Sequence, residues 1–325
     1  MTADPRIGAV VIGRNEGDRL VRWLDSVRKG VAHVVYVDSG STDDSVAEAR
    51  ARGVEVVALD MDLPFTAARA RNAGLDALLA QGAFDHVQFI DGDCELRDGW
   101  IAAASAFLEA HPDVAVVCGR RRERYPDATV YNRLCDWEWD TPVGEATACG
   151  GDALMRVAAL RAVGGYNPDL IAGEEPELCV RLRLEGWRIW RLDHEMTWHD
   201  AAMTRFGQFW KRSRRSGHSF AEGAALHGRG PTRHWVTETR RSVVWGGVIP
   251  LAILLLAAFA GPWALALALI YPAQVARLAL REGGGKTAWE RAFFLVVGKF
   301  AELAGVAEYW WRRLRGQRGG LIEYK

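Results

Sequence analysis

Apolar residues in the first 119 positions form five short runs rich in valine and isoleucine, separated by segments with a helical spacing. Between the first two runs, Leu20, Trp23, Leu24 and Val27 share one helical face. Strands that alternate with helices predict an α/β fold, with a mostly parallel sheet and helices on both of its faces. The runs are 7–12, 34–37, 54–59, 87–90 and 114–117.

The alternation resumes after the stretch 120–147, which is predicted to be irregular. Segments 153–155 and 188–192 are predicted strands, and a helix is expected near 157–163. A further helix is predicted to begin at the acidic segment 173–176, where proline suits a first helical turn.

Two long apolar segments follow, 243–260 and 263–280, joined only by Gly261 and Pro262. Each is about as long as is needed to cross roughly 30 Å of hydrocarbon. The pattern predicts a membrane hairpin, and the arginines at both of its ends place those ends in the cytoplasm. A buried pair of helices in a soluble domain is the alternative.

A last apolar segment, 292–311, carries Lys299, Glu302 and Glu308 and ends in tryptophans and arginines, which is typical of an amphipathic helix lying in a membrane interface. We therefore expect two domains: 1–228 with the α/β fold, and 229–325 as a membrane-associated helical region.

Composition narrows the possible partners. The chain has 325 residues and as many acidic as basic side chains, 41 of each, so its formal net charge is +0. No nucleic-acid partner is expected from such a balance. Five cysteines without a C-x-x-C spacing predict free thiols in a reducing compartment.

Polar side chains directly follow three of the predicted strands. Asn15 and Glu16 follow the first, Asp38 the second, and Asp91 and Asp93 the fourth. Ligands of open α/β sheets bind at the carboxyl ends of the strands, so these residues are candidates for a binding site. The two aspartates suit a hard divalent cation, although acidic residues also occur in ordinary helix-capping turns.

Three further groups of residues are candidates for proton transfer, metal binding and phosphate binding. Glu174 and Glu175 at a predicted helix start suit either a general base or a carboxylate that stabilises the helix dipole. His199, at the end of a predicted strand, suits a metal ligand or an ordinary histidine. A basic run that includes Lys211, Arg212 and His218 suits phosphate binding or a solvated helix face.

Taken in order, five motifs resemble the inverting family 2 glycosyltransferases of the GT-A fold, particularly the membrane-associated bacterial enzymes of exopolysaccharide synthesis. The resemblance covers roughly residues 6–225. The motifs occupy 10–16, 37–45, 68–74, 89–93 and 173–182.

The resemblance implies a nucleotide-sugar donor, UDP- or GDP-linked, and assigns residues to it. Asn15 and Glu16 would line the nucleotide pocket, Asp38 would receive the base, and Arg71 would lie near the base or the phosphates. Asp91 would meet the ribose.

The resemblance also implies a metal and a catalytic base. Asp93 would hold Mn²⁺ or Mg²⁺, and we add His199 as a second candidate ligand of the same ion. The acidic pair of the family usually reads Glu-Asp, whereas both residues are glutamates here. We assign the base to Glu175, with Glu174 in reserve.

The Gln-x-x-Arg-Trp motif of processive synthases is absent, which favours transfer of a single sugar. The predicted hairpin and the tryptophan- and arginine-rich end point to a lipid-linked or other membrane-proximal glycan acceptor at the inner (cytoplasmic) membrane, with the catalytic domain in the cytoplasm. A metal-dependent phosphohydrolase and an inactive membrane scaffold are the alternatives.

Overall fold

The computed structural model describes residues 5–27 and 30–317. The chain divides into two compact units, Met1–Ala202 and Met203–Lys325. The division lies before the helix at Phe206–His227, whereas the sequence prediction places the domain boundary after that helix.

The first unit is built on a nine-stranded mixed sheet. Its strand order is β3-β2-β1-β4-β8-β6-β9-β5, and β7 pairs with β9. Strands β3, β2, β1 and β4 are parallel to their neighbours, and β6 is parallel to β9. The remaining pairings are antiparallel. The strands are β1 (Ile7–Gly13), β2 (His33–Asp38), β3 (Glu55–Ala58), β4 (His86–Asp91), β5 (Cys94–Leu96), β6 (Val114–Glu123), β7 (Gly144–Ala146), β8 (Ala153–Arg156) and β9 (Arg188–His199).

Helices accompany this sheet, and the predicted apolar stripe of the first one faces the core. Leu20, Trp23, Leu24 and Val27 of the first helix are all buried, as their spacing predicts. The helices are α1 (Asp18–Val27), α2 (Ser45–Ala51), α3 (Ala67–Ala80), α4 (Trp100–Ala110), α5 (Val130–Glu138), α6 (Val157–Ala162) and α7 (Glu174–Leu184).

Helix α3 approaches β1 and β2 closely because Gly74 has no side chain. A Cβ atom at Gly74 would overlap the side chains of Val10 and Val37. This contact holds the helix, and with it Arg71, directly over the central strands.

The expectation that 120–147 is irregular is wrong, because β6 continues to Glu123 and α5 and β7 follow. The apolar period that identifies a strand stops at Gly119, since the next side chains are arginines. Arg120 and Arg122 instead pair with Asp136, at 3.2 and 3.1 Å, so ion pairs replace apolar packing.

The second unit is helical. Helices α8 (Phe206–His227) and α12 (Lys286–Leu314) pack closely along each other. A Cβ atom at Gly217 would overlap the backbone of Glu302, and one at Gly305 would overlap the backbone of Arg214. The α-helices are α8 (Phe206–His227), α9 (Val236–Val243), α10 (Ile249–Ala260), α11 (Ile270–Arg281) and α12 (Lys286–Leu314). A π-helical turn, Val244–Val248, joins α9 to α10, and a 3₁₀ helix, Pro262–Leu269, precedes α11.

Both predicted apolar segments are helical and solvent-exposed. They lie within continuous helices at Val236–Ala260 and Pro262–Arg281, which are 25 and 20 residues long, and only 11% of the apolar window of each is buried. By length and composition both can cross a membrane. Their exposure disfavours the alternative of a buried pair in a soluble domain.

Helix α12 uses its polar residues within the unit. Glu302 accepts hydrogen bonds from Lys299 at 2.6 Å and Ser242 at 2.5 Å. Glu308 pairs with Arg214 and Arg312, each at 2.6 Å. The predicted amphipathic helix therefore exists, and its acidic residues contact neighbouring side chains.

Candidate active site

Strands β1, β2 and β4 bring the predicted site residues that follow them to one edge of the sheet. In the parallel register Gly13 lies beside Asp38, and Ile12 lies beside Asp91. The loops after β1, β2 and β4 therefore begin at the same level, as expected for the carboxyl edge of such a sheet.

Asn15 links the first two of these loops. Its side-chain Oδ1 accepts a hydrogen bond from the backbone of Thr42 at 2.7 Å, and its backbone N–H donates to Ser41 Oγ at 2.9 Å. Its φ of 55° is a left-handed conformation, which asparagine tolerates better than most residues. The next residue, Glu16, pairs with Arg19 at 2.9 Å.

Asp38 is buried, with 6% of its surface exposed. The Tyr36 hydroxyl donates to its Oδ1 at 3.1 Å, and the backbone N–H groups of Gly40 and Ser41 donate to its Oδ2, also at 3.1 Å. Burial raises the pKa of Tyr36 well above its usual value, so this hydroxyl stays a donor. These bonds fix the carboxylate at the start of the loop.

Arg71 is the centre of a buried cluster of charges. Its Nη1 donates to Glu174 Oε1 at 2.7 Å, and its Nη2 contacts Asp91 Oδ1 at 2.8 Å and Glu175 Oε1 at 2.9 Å. Burial opposes the charged form of the guanidinium, but the carboxylates outweigh it and raise the pKa of Arg71 further. The arginine therefore joins α3, β4 and α7 at one point.

Glu175 has the pKa expected of a general base. Burial and the neighbouring Glu174 raise the pKa of Glu175 to about 7, against a lowering effect of Arg71. Gly173, at a φ of 80°, turns the chain into α7 so that both glutamates stand in its first turn. A carboxylate with this pKa exchanges protons readily near neutral pH.

Asp91 lies between two guanidinium groups. Burial would raise the pKa of Asp91, but Arg71 and Arg121 lower it below its usual value. Arg121 lies 3.5 Å from Asp91 Oδ2 and 2.9 Å from Asp152 Oδ2. Asp152 also accepts from the backbone N–H of Asp91 at 3.1 Å and from the Thr197 hydroxyl at 2.8 Å.

Asp93 and His199 meet at the pairing of β5 with β9. His199 Nε2 lies 3.3 Å from Asp93 Oδ2, and its Nδ1 lies 3.7 Å from Glu123 Oε2. The ring packs edge-on against Trp139, with centroids 4.6 Å apart. Asp93, Cys94 and His199 present ligand atoms within 4.8 Å of one another.

The donor set around Asp93 fits a hard divalent cation. Burial raises the pKa of Cys94 well above its usual value, so its sulfur is a neutral thiol and not a soft thiolate ligand. A carboxylate oxygen and an imidazole nitrogen then remain as donors, a combination that suits Mn²⁺, while the carboxylates suit Mg²⁺.

The predicted basic residues lie in α8, in the second unit. Lys211 is exposed and Arg212 is half-buried. His218 is only 2% exposed and packs against Tyr309, and burial lowers the pKa of His218 to about 4. A buried, neutral imidazole does not suit phosphate binding, so we correct the assignment of His218 to a packing role.

Sequence reasoning missed Arg121, Asp152 and Trp139. Arg121 lies in the run of arginines that interrupts the apolar pattern of β6, and Asp152 follows the Gly150-Gly151 pair. Gly151 leaves room for the cluster, since a Cβ atom there would lie 2.6 Å from Asp91 Oδ2. For Asp152 the sequence does contain a signal, because a charged residue follows two glycines and directly precedes a strand.

Part of the first unit is similar to a known protein family. Residues 9–162 match the sequence model of glycosyl transferase family 2. The match spans β1 to α6 of the first unit, a little under half of the chain, and ends before α7.

Two curated relatives match a little over half of the chain. Succinoglycan biosynthesis protein ExoA of Rhizobium meliloti (strain 1021) is 28% identical over 194 residues, which are 55% of this chain and 58% of that protein. Pre-mycofactocin glycosyltransferase of Mycobacterium tuberculosis (strain CDC 1551 / Oshkosh) is 27% identical over 201 residues, 56% of this chain and 40% of that protein. The chain thus spans about half the length of these relatives.

One solved structure resembles nearly the whole chain. A mannosyltransferase from Pyrobaculum calidifontis, solved in complex with GDP-Man and Mn²⁺, superposes with a TM-score of 0.67 at 21% identity. The match covers 96% of this chain and 89% of that one. At this identity the likeness concerns the fold, and it confirms the predicted GT-A-like architecture with helices after the sheet.

Proposed function

We propose that this chain is an inverting glycosyltransferase that transfers a single sugar from a UDP- or GDP-sugar. The observation that carries the proposal is the contact of Arg71 with both Asp91 and Glu175. Through Arg71, the acidic end of β4, which suits a nucleotide, lies next to the Glu175 carboxylate, which suits proton transfer.

In the proposed reaction Glu175 removes the proton from the acceptor hydroxyl. The hydroxyl oxygen then attacks the anomeric carbon from the face opposite the leaving nucleoside diphosphate, so the configuration inverts. Arg71 holds Glu175 in place, and Glu174, which occupies the other edge of the same guanidinium, keeps the pKa of Glu175 near neutrality.

Donor binding is assigned to the loops after β1, β2 and β4. Asn15 and Glu16 would line the nucleotide pocket, Asp38 would face the base, and Asp91 the ribose. Because Asn15 and Asp38 are both fixed by hydrogen bonds to the loop at 40–42, the pocket wall is ordered before the donor arrives.

Asp93 and His199 would hold the Mn²⁺ or Mg²⁺ ion. When bound, the ion supplies positive charge that stabilises the departing diphosphate. We also propose that Lys211 and Arg212 bind phosphate, as cations on a helix that is not fully buried.

The exposed apolar hairpin supports a membrane location, with the catalytic unit in the cytoplasm and a lipid-linked or membrane-proximal glycan as the acceptor. The relative from Rhizobium meliloti, a succinoglycan biosynthesis protein by name, supports a role in exopolysaccharide synthesis.

The test is a transfer assay with radiolabelled UDP- and GDP-sugars, the full chain and bacterial lipid extracts. We expect the radiolabel to appear in the lipid fraction only when a divalent metal ion is present and Glu175 is not substituted. Phosphate release without any acceptor would support a phosphohydrolase, and no turnover or donor binding would support a scaffold.

A further inference from the structure

We infer that the apolar hairpin enters only one leaflet of the membrane and does not cross it. The inference deepens the membrane location proposed above and rests on it. It concerns the second unit alone, and it follows from how the hairpin is attached to α12.

The hairpin has two feet, α9 before it and α11 after it. From the middle of α12 the two feet run along this helix toward its opposite ends. On one side Val243 packs against the cluster that contains Val306 and Tyr309. On the other side the ring of Tyr271 contacts Phe300, and Glu282 pairs with Arg291 at 3.0 Å. The feet meet where the Tyr271 hydroxyl donates to the carbonyl of Trp245 at 2.7 Å. The hairpin must therefore leave α12 near its middle.

Charged residues lie at the height along the unit where the hairpin leaves α12, and this height is called the exit level. Lys299 and Glu302 pair at 2.6 Å and are joined by Ser242 of the first foot, and Gly246 lies against the backbone of Lys299. Ionised side chains in hydrocarbon are costly. The exit level therefore belongs at the membrane surface, as expected for an interfacial helix.

The part that extends beyond the exit level is short. Helix α10 has 12 residues and the 3₁₀ helix has eight. At about 1.5 Å per α-helical residue the first is about 18 Å long, and at about 2.0 Å per residue the second is about 16 Å long. The hydrocarbon core is about 30 Å thick, so the tip reaches roughly its middle.

The surface of this part suits lipid on all sides. Between Val248 and Ile270, Ile253 and Ala264 are the two buried positions. Phe259 is 88% and Trp263 66% exposed. No charged residue occurs from 243 to 276.

The turn offers the far headgroups no charged side chain, and its one side-chain donor is already paired. It consists of Gly261 between α10 and Pro262, and the Trp263 indole N–H donates to the Ala260 carbonyl at 2.8 Å. A donor paired in this way can remain in hydrocarbon, where an unpaired one is costly. A turn on the far side of the bilayer would meet headgroups and water, whereas the residues of this turn, Gly261 and Pro262, have no polar side chain.

The test measures the depth of the turn in vesicles of phosphatidylethanolamine and phosphatidylglycerol. The five native cysteines are buried, so Trp263→Cys in the full chain can carry an environment-sensitive fluorophore, with the unsubstituted chain as the labelling control. Phe259→Cys is a second tip site, and Arg281→Cys is a matched site at the foot. Quenchers are nitroxide lipids labelled near the headgroup or near the chain end, and a soluble quencher outside or trapped in the lumen.

We expect fluorescence at both tip sites to be lost most with the deep nitroxide and to be unaffected by either soluble quencher, while the foot site responds to the outer one. Loss of tip fluorescence with the lumenal quencher would overturn the inference in favour of a spanning hairpin. A chain that fails to float with vesicles would overturn the membrane location itself, and the transfer assay would still judge the proposed enzyme.

Discussion

Arg71 lies 2.9 Å from Glu175, and the same guanidinium nitrogen lies 2.8 Å from Asp91. The side chain that contacts the proposed base thus also contacts the proposed donor site. Because all three groups are largely buried, their charges interact strongly, and a change in one alters the protonation of the others.

Replacing Glu175 with glutamine removes the proposed base but keeps a hydrogen-bond acceptor for Arg71. We expect kcat to fall by about 10²- to 10⁴-fold, the usual contribution of general base catalysis, with nucleotide binding retained. Transfer rates and donor affinity measure the two effects separately.

The matched control is Glu177→Gln, two positions further along α7, whose carboxylate pairs with Arg181 at 2.8 Å and not with Arg71. This variant should retain activity. If Glu175→Gln were as active as the control, the base would have to be another group, with Glu174 the first candidate.

Activity should depend on pH through Glu175. Its unprotonated form is the active one, so kcat/KM should rise as the pH approaches the pKa of about 7 and level off above it. Since Glu174 raises this pKa, Glu174→Gln should shift the rise to lower pH. Since Arg71 lowers it, Arg71→Gln should shift the rise to higher pH.

Rate profiles between acidic and mildly alkaline pH measure these shifts. Profiles that coincide for the parent chain and both variants would show that a different group controls the reaction.

Asp152 should be important for stability because it is fully buried and pairs with Arg121 at 2.9 Å. Asp152→Ala leaves a guanidinium without this partner, and we expect it to reduce the free energy of unfolding by about 3–5 kcal/mol. Thr197→Val removes only a hydroxyl bonded to Asp152 and should cost about 1–3 kcal/mol. Denaturant unfolding measures both, and equal losses would contradict the role given to the ion pair.

The contact of α8 with α12 requires glycine at 217. Gly217→Ala places a methyl group on the backbone of Glu302, and we expect it to destabilise the second unit by about 1–3 kcal/mol. Gly207→Ala in the same helix is the control, since nothing lies within 4 Å of its Cβ position. Thermal unfolding should separate the two variants, and equal melting temperatures would argue against the close packing.

Elements with a strong apolar period could be predicted from the sequence. The first four strands and α1 alternate as expected, and their parallel order follows from the β-α-β connections. The placement of β8 between β4 and β6 could not be predicted, because antiparallel pairing of a late, short strand depends on contacts distant in sequence.

The candidate site, too, could be predicted only where its residues are recognisable from their neighbours in the sequence. The acidic strand ends could be found because each follows its own strand, so Asp38, Asp91 and Asp93 are visible locally. The pairing of Arg121 with Asp152 could not be found, since it joins β6 to the residue before β8. The burial of His218 also depends on α12, which is remote in the chain.

The most direct test of the central claim is calorimetric titration of the full chain with UDP and GDP, with Mn²⁺ and then with EDTA, for the parent chain and Asp93→Ala. We predict that one nucleotide binds with metal, that EDTA abolishes the binding, and that the substitution does the same. Binding of neither nucleotide under any condition, in a chain that is folded, would contradict the central claim.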